Sequence, residues 1–143
     1  MTRIVLVALF SALTSFNALA DTLKSEQEAK QLSEKAMAQA AKGDFSAAFE
    51  TIKPYVVFPE SEFQTMVLQS KSQREQFGAR FGKSVGYEFI SEKKAGESVL
   101  RLTYIEKTEK TALPWMFIYY KTQSGWILNG IFWNDRILNV FDQ

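Results

Sequence analysis

Near its middle this chain changes hydrophobic period. Between Ser25 and Phe81 apolar residues return every three or four positions, and from Tyr87 onward they return every second position. The first spacing puts one apolar stripe on a helix, whereas the second puts one apolar face on a strand. Helices that precede strands in this way predict an α+β domain. Its N-terminal helices would pack on a curved, cone-like, four-stranded antiparallel meander.

The helical half is punctuated by capping signals. Ser25-Glu26-Gln27-Glu28 is a capping box, Ala29, Leu32, Ala36, Met37, Ala40 and Ala41 follow at helical spacing, and Gly43 stops the helix. Asp44 can cap a second, shorter helix that carries Phe45, Phe49 and Ile52 on one face and that Pro54 ends or kinks. Gly43 to Phe49 looks like part of a tetratricopeptide unit, but no second copy follows, so a plain helical hairpin is predicted. Tyr55 to Phe58 is a short β-prone stretch closed by Pro59. A third helical pattern from Ser61 then places Phe63, Met66, Val67, Ser70, Arg74, Phe77 and Phe81 at three- and four-residue steps. The Lys and Arg residues of this segment are spaced like a solvated face.

Four alternating runs follow: Tyr87 to Lys93, Val99 to Glu106, Trp115 to Lys121 and Trp126 to Trp133. Ala95-Gly96, a polar loop at Lys107 to Thr111, and Gln123-Ser124-Gly125 join them as a meander. Trp115 to Tyr120 and Ile131 to Trp133 are large and apolar on both faces, unlike a sheet with one face in water. Helices cover only one face. The other calls for a second copy of the chain or for a curved sheet that wraps a pocket, and a homodimer through the sheet face is expected.

The N-terminus carries a different signal. Met1-Thr2-Arg3, an apolar run from Ile4 to Phe16, and Ala18-Leu19-Ala20 form the three parts of a cleaved secretory signal. Residues 1–20 are therefore expected to leave as a signal peptide and residues 21–143 to form one domain. That domain would be periplasmic or secreted, with no membrane association after cleavage. Asp21 stands where a lipoprotein would need Cys.

Composition narrows the chemistry. The 143 residues include no His and no Cys, which removes His-based triads, thiolate nucleophiles, disulfides and Cys-based metal sites. Only a hard cation on oxygen ligands remains conceivable, and no calcium loop is present, so no metal or cofactor is expected. With 17 Lys+Arg against 16 Asp+Glu, nothing suggests a nucleic-acid partner. Ser91 to Lys94 matches S-x-x-K but sits at a strand end, where the two side chains diverge. Gly78, Gly82 and Gly86 do not open a helix after a strand, as a phosphate loop would. Among carboxylates, Asp135 beside Ile131-Phe132-Trp133 and Glu88 between Tyr87 and Phe89 are the weak catalytic candidates. Tyr104, Trp115, Tyr119 and Trp133 could line a small apolar pocket, with Arg101 or Asn129 orienting a ligand; the same aromatics also suit a core.

In layout the chain resembles the nuclear-transport-factor-2-like superfamily, and within it small exported bacterial domains. The residues that carry the likeness are Arg74-Glu75-Gln76-Phe77-Gly78 before the sheet, Val99 to Tyr104, and Ser124 to Trp133 with its Gly-Trp start. The resemblance spans about Ser25 to Asn139. It implies a conical cavity between helices and sheet and, commonly, dimers through the sheet. Enzymes of that superfamily place Asp, Tyr or His in the cone, and no matching set is found here. The expected function is an exported, non-catalytic module that binds a small apolar ligand or a protein partner through its cone or sheet. The alternative is a small isomerase or dehydratase using a carboxylate and a Tyr.

Overall fold

The computed structural model describes residues 19–141; the expected signal segment lies outside them, apart from Leu19 and Ala20. Helices α1 (Glu26–Ala40), α2 (Phe45–Ile52) and α3 (Glu60–Phe81) precede strands β1 (Ser84–Ala95), β2 (Val99–Thr108), β3 (Ala112–Lys121) and β4 (Trp126–Trp133). The architecture is α+β, with an open antiparallel sheet in the order β1-β2-β3-β4.

The capping signals act as their chemistry dictates. The Ser25 hydroxyl accepts from the Glu28 amide at 3.1 Å, and the Glu28 carboxylate accepts from the Lys24 amide at 2.7 Å. Asp44 caps α2 by accepting from the Ala47 amide at 2.9 Å. Tyr55 differs from its β-prone reading. Pro54 stands in the first positions of a short 3-10 turn at Lys53–Tyr55, which the Val56 amide closes on the Lys53 carbonyl, and only there does Val56 bridge to Leu128 in parallel. Leu23 bridges to Trp126 in antiparallel on the same edge. β1 starts earlier than Tyr87, because Ser84 already pairs with Thr108.

Register sorts the sheet into two faces. Leu102, Phe117 and Ile131 stand side by side, as do Tyr104, Trp115 and Trp133, and Leu100, Tyr119 and Leu128. These residues face the helices. Trp115 meets the rings of Phe45 and Phe49, and the Tyr119 hydroxyl donates to the Ala29 carbonyl at 3.1 Å and bonds the Ser33 hydroxyl at 2.7 Å. Ala29, Ala36 and Ala40 are fully buried, so small side chains let α1 settle closely on its neighbours. The opposite face carries Arg101, Thr103, Ile105, Met116, Ile118, Tyr120, Ile127 and Phe132. Phe132 is 55% exposed and Tyr120 45%, while Met116, Ile118 and Ile127 are half-buried.

Candidate functional site

Strand alternation carries Leu100, Leu102 and Tyr104 inward and, two residues on, carries Glu106 inward too. Its side chain is fully buried. A buried carboxylate is costly unless charge and hydrogen bonds satisfy it. Here both oxygens are satisfied twice. Arg74 donates through Nη1 to Oε2 at 3.0 Å and through Nη2 to Oε1 at 2.7 Å, Trp115 Nε1 donates to Oε2 at 3.1 Å, and the Ser84 hydroxyl donates to Oε1.

Arg74 reaches this position from the inner side of α3. Its side chain is 11% exposed, so it departs from the solvated face expected of the cations in this segment. Phe45 lies 4.4 Å from the guanidinium carbon, Trp133 5.5 Å and Phe81 5.7 Å. A planar, weakly hydrated cation suits such a cage better than an ammonium would. Arg74 shares the helical stripe with Ser70 and Phe77, and that position was the signal that it turns inward. The signal for Glu106 was equally plain: it occupies the inward parity of β2.

Above the ion pair opens a cleft of about 450 Å³. Three chain segments build it: Lys42 to Ser46, from the α1–α2 turn into the start of α2, Lys71 to Gly78 on α3, and Gly82 to Ser84 at the start of β1. Lys42, Lys71 and Lys83 stand on its rim with Asp44 and Glu75, and Phe45 and Arg74 line it below. Asp44 is occupied as the α2 cap, and Arg74 is neutralised by Glu106. With Arg74 balanced by Glu106, the rim sets the three lysines against the carboxylates of Asp44 and Glu75, above the single aromatic ring of Phe45. Gly82 shapes one wall. Its φ is +74°, and a Cβ there would lie 2.8 Å from Glu109 Oε2, the oxygen that accepts from the Lys83 amide.

The structure gathers the aromatic residues singled out from sequence on the inner face of the sheet and scatters the polar ones. Tyr104, Trp115 and Tyr119 are fully buried in the core, and Trp133 is half-buried with its Nε1 on the Ser70 hydroxyl at 3.1 Å. Arg101 lies on the opposite face of the sheet from these aromatics, and Asn129 is exposed at the register shift of β4. Asp135 pairs with Arg80 at 3.4 Å beside a second cleft of about 360 Å³ that Phe77, Trp133 and Arg136 also line. Glu88 is exposed and points away from the helices, opposite Ile105. Burial pushes the Tyr104 and Tyr119 hydroxyls well above the ordinary tyrosine value. The Tyr104 hydroxyl is buried with no hydrogen-bond partner. Among the described residues no group of three or more carboxylates gathers as a metal site would require, and no helix is long and apolar enough to cross a membrane.

The fold and cleft thus define an α+β domain with a ligand-sized recess beside a satisfied buried ion pair. Comparison with known proteins finds no match, whether to a protein family, a curated protein or a solved structure.

Proposed function

We propose that this protein is an exported, non-catalytic binding module whose ligand occupies the cleft above Arg74 and Glu106. The observation that carries this reading is the cleft itself, a ligand-sized recess of about 450 Å³ built by three separate chain segments. The Phe45 ring beneath a rim that carries more lysine than carboxylate suits a small molecule with an apolar body and an acidic group. The ion pair below holds the floor rigid, so little ordering cost falls on binding.

A fluorescent aromatic sulfonate, 8-anilinonaphthalene-1-sulfonate, is a suitable probe. It should bind saturably at one site, and the Lys71→Glu/Lys83→Glu variant should weaken it about tenfold, the loss expected when an ionic contact becomes a repulsion. Binding that is non-saturable or indifferent to the two substitutions overturns the reading.

A second reading is self-association through the sheet. It is favoured by the exposure of Phe132 and Tyr120 beside half-buried Met116, Ile118 and Ile127 on the face away from the helices.

A further inference from the structure

Open sheets must protect their two edges, because unpaired backbone groups there recruit other strands. The β1 edge is blunted. It carries Glu88, Glu92, Lys93 and Lys94, and its register shifts twice, between Ser84 and Gly86 and between Phe89 and Ser91. The β4 edge is protected over only half its length. Trp126 exchanges two backbone hydrogen bonds with Leu23, each of 2.8 Å, and the Leu128 carbonyl accepts from the Val57 amide at 3.3 Å. Pro59 then turns the covering segment into α3.

Beyond that point no extended segment of the described chain pairs with β4, although α3 flanks it through Met66, Gln69, Ser70 and Gln73. The Asn134 amide donates inward to the Pro114 carbonyl at 3.2 Å. By alternation, the N–H and C=O groups of Phe132 also point toward β3, and those of Ile131 and Trp133 point outward. No loop or helix group of the described chain pairs with those outward groups. A groove of about 160 Å³, lined by Met66, Gln69, Ile131 and Phe132, opens beside them. The window is bounded by the Val56 bridge at one end and by the Asn134–Arg136 turn at the other, and Phe132 lies at its centre.

We infer that this window pairs with the same window of a second copy, joining two sheets edge to edge about a two-fold axis at Phe132. The inference deepens the self-association reading and rests on it. Antiparallel pairing of the window with itself brings Ile131 opposite Trp133 of the second copy. It satisfies both outward donors and both outward acceptors, because an antiparallel hydrogen-bonded pair exchanges two bonds. No other register centres both windows at once. Continuity supports the same occupant: the edge already accepts two extended segments of its own chain, and the pairing extends that edge past the point where they stop. The two Phe132 side chains then become a close, non-hydrogen-bonded cross-strand pair on the exposed face. Gly130 leaves room for this, since its missing side chain lets the Phe132 ring lie across it; a Cβ there would come within 2.8 Å of that ring.

The absence of cysteine makes the test clean, because one introduced thiol is then the sole thiol. Residues 21–143 should have twice the monomer mass by light scattering at high micromolar concentration. Under mild oxidation Phe132→Cys should form a disulfide dimer about tenfold faster than Leu68→Cys, an exposed position on α3. Ile131 and Trp133 amide exchange should slow as the concentration rises. A monomer at all concentrations overturns self-association altogether. A dimer in which Phe132→Cys links no faster than Leu68→Cys, and in which those amides exchange unchanged, overturns the edge pairing and leaves association through the sheet face.

Discussion

Arg74 and Glu106, 32 residues apart in the chain, meet in a two-pronged ion pair with nitrogen–oxygen distances of 3.0 and 2.7 Å. This contact ties α3 to the sheet and forms the floor of the cleft. Its energetic character differs from that of the surface pairs Lys53–Glu60 and Lys94–Glu26, which solvent screens.

Removing one member of the buried pair strands the other. Glu106→Ala should therefore lower stability by about 3–5 kcal/mol, read from the urea midpoint. Arg74→Met combined with Glu106→Gln should recover much of that loss, because no buried charge is left uncompensated. A Glu106→Ala variant as stable as the parent would contradict the burial and satisfaction described for this pair.

Two inward-facing tyrosines in the same core should respond oppositely to loss of the hydroxyl. Tyr119 bonds Ser33 and the Ala29 carbonyl, so Tyr119→Phe should cost about 1–2 kcal/mol. Tyr104 buries a hydroxyl with no partner, so Tyr104→Phe should leave stability unchanged or raise it by about 1 kcal/mol. Denaturant unfolding of the two variants side by side decides the matter.

Both hydroxyls have raised pKa values in the folded chain, with burial as the leading cause. The unfolded chain loses these protons near the ordinary tyrosine value of about 10, while the folded chain still holds them. The stabilising contribution is thus complete below pH 10 and declines as pH rises from the unfolded toward the folded pKa. Each tyrosine should add about 1.4 kcal/mol per pH unit to that decline, and Tyr104→Phe or Tyr119→Phe should remove one such share. Alkaline unfolding followed by circular dichroism, with tyrosinate absorbance alongside, measures it.

Gly125 has φ +143°, and a Cβ there would stand 2.5 Å from the Leu23 carbonyl oxygen. Gly125→Ala should therefore cost about 1–3 kcal/mol and push Leu23 away from Trp126. Faster amide exchange at Leu23 and Trp126 would report that separation; unchanged exchange would show that the bridge tolerates the added methyl.

Most of the architecture was legible because periodicity is a local property. Ala29, Leu32 and Ala36 mark α1 by their own spacing, and Ser25 and Asp44 mark the two caps without reference to distant residues. Pro59 was legible as a stop. Tyr55 misled because a β-prone residue just after Pro54 is drawn into a 3-10 turn, and the extended bridge begins one residue later at Val56.

The candidate site was legible only in part. Aromatic enrichment pointed to Tyr104, Trp115 and Tyr119, and the fold spends these on packing. Arg74 and Glu106 each sat at an inward position of its element, yet a charged residue at such a position becomes informative only when its partner is known. By itself the sequence determined the order of helices and strands, the meander, the caps and the inward parity of β2, since all follow from spacing within a few residues; β3 and β4 are apolar on both faces, and the parity of β4 changes at Asn129. Only the tertiary structure decided that Arg74 closes on Glu106, that the Tyr119 hydroxyl finds Ser33 while the Tyr104 hydroxyl finds no hydrogen-bond partner, and that the far end of β4 stays unpaired. Those outcomes depend on which distant groups share one low-dielectric interior, where an unsatisfied polar group is expensive and a satisfied one orders everything around it.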